Sequence, residues 1–234
     1  MTDWMTDELI EETRKFLRGD PAGDKRASLA RLLNITEHKS RELIRRAEVS
    51  GPTWGIWDLE TTALEGHFGR LLCGSILCYP SMEMVTHSWP DYSEDPSEDG
   101  GLAVAIRDEI EKHQFSCGYF TKGFDFGFLN ARLLAAGERR IRSHLHLDCI
   151  WAFRGWRGVK IGSSSMKNVA EFLGLEQKMQ LPKEIWVKAG MGNKTALARI
   201  IERCESDVRI TWEIAQHILN AEPPMLKSPL QMYP

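Results

Sequence analysis

Apolar positions recur along this chain with two different periods, and the change of period divides it. In TDELIEETRKFLRG, residues 6–19, Leu9-Ile10 and Phe16-Leu17 stand seven apart, two turns of helix, and Gly19 can end it. In DKRASLARLLNITEHKSRELIRRAE, residues 24–48, Leu29, Leu32 and Leu33 line one helix. Asn34-Ile35-Thr36 makes a short turn with Thr36 as a cap, and Leu43 and Ile44 continue the apolar face. After Gly51-Pro52 the texture becomes strand-like. TWGIWDLE, RLLCGSILCYP and SMEMVTHSW read as three strands with short links, an antiparallel start. PDYSEDPSEDGG is a loop by composition. LAVAIRDEIEKH reads as an amphipathic helix, FSCGYF as a short strand, FDFGFLNARLLAAG as a helix closed by Gly137, and LHLDCI as another strand. MKNVAEFLGL predicts a helix, and TALARIIERCESDVRITWEIAQHIL is long enough for one helix or two. The closing PPMLKSPLQMYP is expected outside any core element.

Strands mixed with helices predict an α/β fold, a mixed sheet flanked by helices. The expected parts are a small helical module (1–50), the α/β domain (51–222) and a C-terminal tail (223–234). A length of 234 residues suffices for one full core and such a module. The first part resembles a helix-turn-helix, and residues 24–48 carry seven Lys or Arg against four acids. Nucleic-acid contact, packing and partner contact all fit that face. A formal charge of -3 rules out a globally basic nucleic-acid binder, so any such site is local. Five Cys, an odd count with no C-x-x-C pair, suit a reducing compartment. With no apolar run near the roughly 18 residues of a membrane span, and no signal-peptide pattern, the expectation is a cytoplasmic chain without membrane contact.

The chemistry starts at the end of the first strand of the second part. Asp58 and Glu60 are two apart, so their side chains share a face. Adjacent carboxylates repel unless a cation lies between them, and hard divalent ions favour such oxygens. A solvated strand end is the bland alternative. Asp125 precedes the FGFLNARL helix, where it could be an N-cap, and Asp207 falls in a helix rich in Glu and Arg, where it could be solvated.

DLETT after an apolar strand resembles the first motif of the DEDD 3'-5' exonucleases, in the ribonuclease-H-like superfamily. GYFTKGFDFGFLNARL, residues 118–133, is similar to their second motif and ERCESDVRIT, residues 202–211, to their third. HLHLDC and SMKNVAEFLGL resemble elements found between these motifs in predicted exonucleases related to family B polymerase proofreading domains. The similarity covers about residues 53–220. It implies a ribonuclease-H-like fold and cleavage of phosphodiester bonds by a two-metal mechanism. Asp58, Glu60, Asp125 and Asp207 would hold two Mg²⁺ or Mn²⁺ ions, with single-stranded DNA, DNA 3' ends or RNA as substrate. Asp148, in the H-x-D element, would support the fold or the substrate strand. Three positions depart from the pattern. Arg203 stands four residues before Asp207, where the family has Tyr; Glu202 stands five before it, where another branch has His; and Phe120 stands where Asn is common. Tyr119 and His217 match neither base position. A nucleic-acid-binding protein with this fold and little catalysis is therefore the alternative.

Substrate contacts are expected from Thr61 and Thr62, which follow the first motif, from Arg203, and from residues 138–167. That segment has seven Lys or Arg against two acids, interleaved with Trp151, Phe153 and Trp156. Within it Arg154, Arg157 and Lys160 are the expected phosphate contacts. His144 and His146 read as polar surface or phosphate contacts rather than a metal pair. Trp54, Trp57, Trp186 and Trp212 read as packing.

Overall fold

The computed structural model describes residues 53–154, 159, 161–221 and the backbone of 231–233, with Thr13, Thr36 and Lys39 as single points before them. The chain divides into two compact units, Met1–Pro52 and Thr53–Pro234. Of the expected helix-turn-helix only the cap falls among the described residues: the Thr36 hydroxyl accepts from Lys39 N–H at 3.3 Å; the rest lies outside them. So do Arg157, Lys160 and Trp156.

The second unit is built on one six-stranded sheet. Its strands are β1 (Trp54–Thr61), β2 (Leu71–Tyr79), β3 (Glu83–Ser88), then, after helix α1 (Gly100–Ile110), β4 (Phe115–Gly118). Helix α2 (Asp125–Ala135) leads to β5 (His144–Asp148). Helices α3 (Met166–Leu173), α4 (Glu184–Gly190) and α5 (Lys194–Asn220) follow, and β6 (Gln231–Tyr233) ends the sheet. The spatial order is β3-β2-β1-β4-β5-β6. β1, β2 and β3 form an antiparallel meander; β4 and β5 continue parallel to β1, and β6 is antiparallel to β5. The helical connections before and after β4 are what parallel pairing demands.

β1 is buried on both faces, because its two sets of alternate residues face two helical layers. Trp57 and Leu59 belong to an apolar cluster with Ile106 of α1 and Phe126 and Leu129 of α2. Trp57 meets Phe126 edge to face at 4.9 Å. Trp54 and Ile56, on the other set, pack with Val169 of α3 and Val208 and Ile214 of α5. Asp58 and Glu60 continue this second set, so the chain aims them at the α5 side. α5 is one helix of 27 residues, capped by the Asn193 side chain on Ala196 N–H. α3 starts at a Ser165 cap and stops at Gly174 (φ 71°), a conformation that favours glycine.

Two expectations change. α4 is absent from the sequence reading, although Ile185, Trp186 and Ala189 have helical spacing between Pro182 and Gly192. The C-terminal segment is not wholly outside the sheet, since Gln231–Tyr233 pairs with His144–His146. Between Pro229 and Pro234 each of these three residues keeps its backbone N–H, so an edge ladder is open to them.

Candidate functional site

β1 carries Asp58 and Glu60 to its C-terminal end. α5 packs across the same face and presents Arg203, Cys204 and Asp207 in a single turn's span. One carboxylate oxygen each from Asp58, Glu60 and Asp207 lies within 4.8 Å of the others. Asp125 opens α2 and borders the same cleft of about 390 Å³, with Asp58, Phe120, Lys178 and Arg203. The structure thus brings the four sequence-predicted acids together. Asp125 is not an N-cap: it is the first helical residue, after Phe124. Asp207 is not solvated, being fully buried.

The electrostatics are those of excess negative charge. Burial, then the charge of Asp207, pushes the Asp58 carboxyl up to about 7, against the pull of Lys178, Arg203 and a Cys204 thiol contact. Burial and then Asp58 hold Asp125 well above the usual carboxylate range, although the Asp125 and Leu59 backbones stabilise its charge. Among the described residues two cations answer the four acids. Arg203 binds Glu60 Oε1 through Nη1 and approaches Asp207 Oδ2 through Nη2 at 3.2 Å. Lys178 Nζ lies 2.6 Å from Asp207 Oδ2. Burial pulls the Lys178 ammonium down, but Asp207 and Asp58 outweigh it and leave it raised. Asp207 Oδ1 stays buried with no hydrogen bond. An unpaired buried carboxylate oxygen beside three other acids is what a hard cation would satisfy, so the donor set fits Mg²⁺ or Mn²⁺.

Sequence reasoning misses three members of this site. Lys178 lies between α3 and α4 with no spacing to mark it. Trp186 packs partly into the core as expected, but its Nε1 also donates to Glu60 Oε2 at 2.9 Å, and its ring lies 5.2 Å from the Arg203 guanidinium. α4 reaches the site because Gly190 lets it approach Thr62, where a Cβ would stand 2.8 Å from Thr62 Cγ2. Cys204 Sγ lies 3.4 Å from Asp58 O and 3.8 Å from its Oδ2.

Phe120 lines the cleft and joins it to a neighbouring aromatic and basic patch. Phe120 takes a positive φ of 65°, costly for a residue with a side chain, and is partly exposed. Asp148 holds it there, accepting from Phe120 N–H at 2.7 Å and Lys122 N–H at 3.0 Å. The Arg154 guanidinium lies 4.8 Å from the Phe120 ring and 5.8 Å from the exposed Trp151 ring. Phe153 is buried. The Thr61 hydroxyl donates to Ala63 O, and the Thr62 hydroxyl accepts from Arg70 N–H. His146 departs from its expectation: it is fully buried and hydrogen-bonded to Ser116 and Thr121 hydroxyls. His144 shares the Ser116 hydroxyl and bonds Arg142 O. Both are tied into β4 and β5 because alternate residues of those strands face the helices. Tyr119 donates to Ser164 O, and burial raises its phenol further from neutrality, which suits a structural role rather than a base.

Among the described residues a second group, Cys78, Glu109 and His113, also brings possible metal ligands together. No described helix is long and apolar enough to cross a membrane.

Among curated proteins none matches this sequence. Among solved structures the chain is similar to the family B DNA polymerase of the hyperthermophilic archaeon Pyrobaculum calidifontis. The TM-score is 0.55 at 16% identity over 72% of this chain, a likeness of fold. The chain spans 24% of that polymerase's length. A family model described as the RNase_H superfamily matches residues 56–219, most of the α/β unit. With the fold, the strand order and the paired carboxylates on β1, this establishes that the chain belongs to the RNase H superfamily.

Proposed function

We propose that this protein is a divalent-metal-dependent 3'-5' exonuclease of the DEDD type, acting on DNA or RNA strands. The observation that carries the reading is the buried surplus of carboxylates at the end of β1, open to a cleft with an aromatic and cationic wall. Asp58, Glu60, Asp125 and Asp207 would hold Mg²⁺ or Mn²⁺, which supplies an activated water and offsets charge on the scissile phosphate. Four carboxylates against Arg203 and Lys178 leave a formal charge of about -2, matched by one divalent ion while both cations stay in place. If a substrate phosphate draws Arg203 and Lys178 onto itself, the acids regain the charge for two ions. Arg203 cannot take a proton from water, so its role is to hold Glu60 or the phosphate. Trp186 fixes Glu60 through its indole N–H. The partly exposed rings of Phe120 and Trp151 offer stacking faces to unpaired bases, with Arg154 against the backbone. Thr61, Thr62, Arg157 and Lys160 are proposed as further substrate contacts. Five free cysteines suit the reducing cytoplasm.

A second reading has its own observation. Arg203 and Lys178 fill the positions nearest Glu60 and Asp207 and would serve a strand-binding protein with little turnover. The two separate on one experiment, 5'-labelled single strands of DNA and RNA incubated with Mg²⁺ or Mn²⁺. A ladder shortening from the 3' end, absent with chelator and in Asp58→Asn, is expected. Strand binding without cleavage in either metal would establish the second reading instead.

A further inference from the structure

A second set of ligating side chains lies at the other end of β1 and on its other face. Cys78, in β2, pairs across the sheet with Gly55 near the start of β1. Glu109 is in the last turn of α1 and His113 just beyond it. One donor atom from each of Cys78, Glu109 and His113 lies within 4.8 Å of the others.

Three observations set this cluster apart from an ordinary polar patch. Both ring nitrogens of His113 are buried and make no hydrogen bond. An imidazole left so bears the desolvation cost of both nitrogens with no hydrogen bond to offset it. His87, on the same sheet face in β3, also has a buried Nε2 without a hydrogen bond, 3.7 Å from Glu109 Oε2. Its Nδ1 is paired with the Tyr92 hydroxyl at 2.6 Å, and in the tautomer where Nδ1–H donates to that oxygen, Nε2 is left as an acceptor or ligand. The third is room: a Cβ at Gly55 would stand 2.7 Å from His113 Cδ2, so the ring lies where only glycine admits it. The local charge also favours a cation. Glu83 pairs across the strands with Cys78, and the C-terminal carbonyls of α1 add partial negative charge. Among the described residues the nearest cation is Lys112, whose Nζ lies 2.5 Å from Glu109 Oε2 on a side chain 64% exposed.

We propose that Cys78, Glu109 and His113, with His87 as the fourth donor, bind one zinc-class divalent ion that fastens the end of α1 to β2 and β3. One thiolate, two imidazoles and one carboxylate favour borderline-soft Zn²⁺ over Mg²⁺ or Mn²⁺. A tetrahedral zinc shell sets its donor atoms roughly 3.3–3.8 Å apart, so the Cys78, Glu109 and His113 donors need draw in by only about 1 Å, while His87, 3.7 Å from Glu109 Oε2 but outside that three-residue group, has farther to move. Lys112, already in water, releases the carboxylate at small cost. The ion is structural here. It lies away from the acid cleft, so its presence and strand cleavage can fail separately.

The test is titration of the reduced, metal-free full-length protein with Co²⁺ and Zn²⁺. Cobalt is expected to give tetrahedral d–d bands and a thiolate charge-transfer band at one equivalent, displaced by one equivalent of Zn²⁺ and not by excess Mg²⁺. The bands should persist in Asp58→Asn, which disables the acid cluster. They should vanish in Cys78→Ser and His113→Gln, with zinc affinity lowered at least about 100-fold. Zinc should raise the melting temperature of the wild type and of Asp58→Asn. Absence of the thiolate band in the wild type overturns the proposal without reference to any variant. A band that survives Cys78→Ser, or that disappears in Asp58→Asn, overturns it equally, because the ion would then lie elsewhere.

Discussion

Asp99 and Asp207 are both almost wholly buried beside a guanidinium, and the molecule treats them in opposite ways. Asp99 faces Arg132 through a forked pair, Nε and Nη2 to its carboxylate at 2.7–3.0 Å, and accepts Leu71 N–H at 2.8 Å. Arg132 spends a further N–H on Gly66 O. One acid meets one cation, and both of its oxygens are used. Asp207 shares Arg203 with Glu60, takes Lys178 on one oxygen and leaves the other unpaired, with Asp58 and Asp125 close by. Neutral and satisfied, the first pair ties α2 and β2 together. Overcharged and unsatisfied, the second group holds capacity for a ligand. A buried acid thus reads as structural or functional according to whether its lone pairs and its charge are already answered.

The largest effect expected from this contrast is on stability. Asp99→Ala leaves Arg132 buried and uncompensated, and should cost about 3–5 kcal/mol in urea unfolding. Asp207→Asn should change stability far less, since it removes a charge from a surplus. Reversed results, with Asp99 dispensable and Asp207 essential to folding, would break the comparison.

Next in size is an effect on activity. Asp58→Asn should lower strand cleavage at least about 100-fold, beyond what loss of a residue merely supporting a metal ligand costs. Its circular dichroism should match the wild type. Comparable rates would remove Asp58 from the proposed chemistry.

A smaller effect sharpens the charge argument through pH, in metal-free protein with chelator. Asp58 has its folded pKa raised from 3.8 to about 7. A group raised in the folded state contributes stability that is full below its unfolded pKa and is lost as pH rises through the folded one. That loss cannot exceed about 1.4 kcal/mol per pH unit for one proton. Asp58→Asn has no such proton to lose. The stability advantage of Asp58→Asn over wild type should therefore grow between about pH 4 and pH 7 and then level off. Added Mn²⁺ should shrink it by favouring the ionised wild type. A difference flat across that range would mean that neither burial nor the charge of Asp207 raises the Asp58 carboxyl.

What the sequence makes legible follows the range of the interactions. Alternation puts Asp58 and Glu60 on one face of β1, and helical spacing predicts α1, α2, α3 and α5, because these patterns repeat within a few residues. The gathering of the four acids is reachable by resemblance, since each lies in a motif. Lys178 and Trp186 are not reachable that way. Trp186 meets Glu60 across 126 residues of sequence, and only the packing of α4 against Thr62 brings it there. Asp99 is hidden for a different reason. It lies at the end of an acidic, loop-like stretch whose composition signals solvent, while Arg132, 33 residues on, makes it core. His146 misleads in the same way, as its basic neighbours suggest surface where strand alternation buries it. Residues 1–50 add a helical pattern whose structure, apart from Thr13, Thr36 and Lys39, lies outside the described residues.

The smallest expected effect concerns Arg154, and it bears on which side of the contrast the cleft wall belongs to. Its guanidinium lies against Phe120 and Trp151 and 3.4 Å from the Ser164 hydroxyl, and none of its contacts with the described residues is a carboxylate. It is thus a cation without a structural acid, the reverse of Arg132. Both neighbouring rings are partly exposed, so little packing depends on them. Arg154→Ala should leave the melting temperature nearly unchanged. If the side chain meets one phosphate, strand affinity should fall modestly, and the slope of log affinity against log salt should lessen by about 0.7 for a single strand. Binding isotherms at several salt concentrations, in chelator to suppress cleavage, measure this directly. An unchanged slope with weaker binding would assign Arg154 to stacking with Phe120 and Trp151. No change in either would take the aromatic wall out of the substrate path and leave the acid cluster as the sole basis of the proposed function.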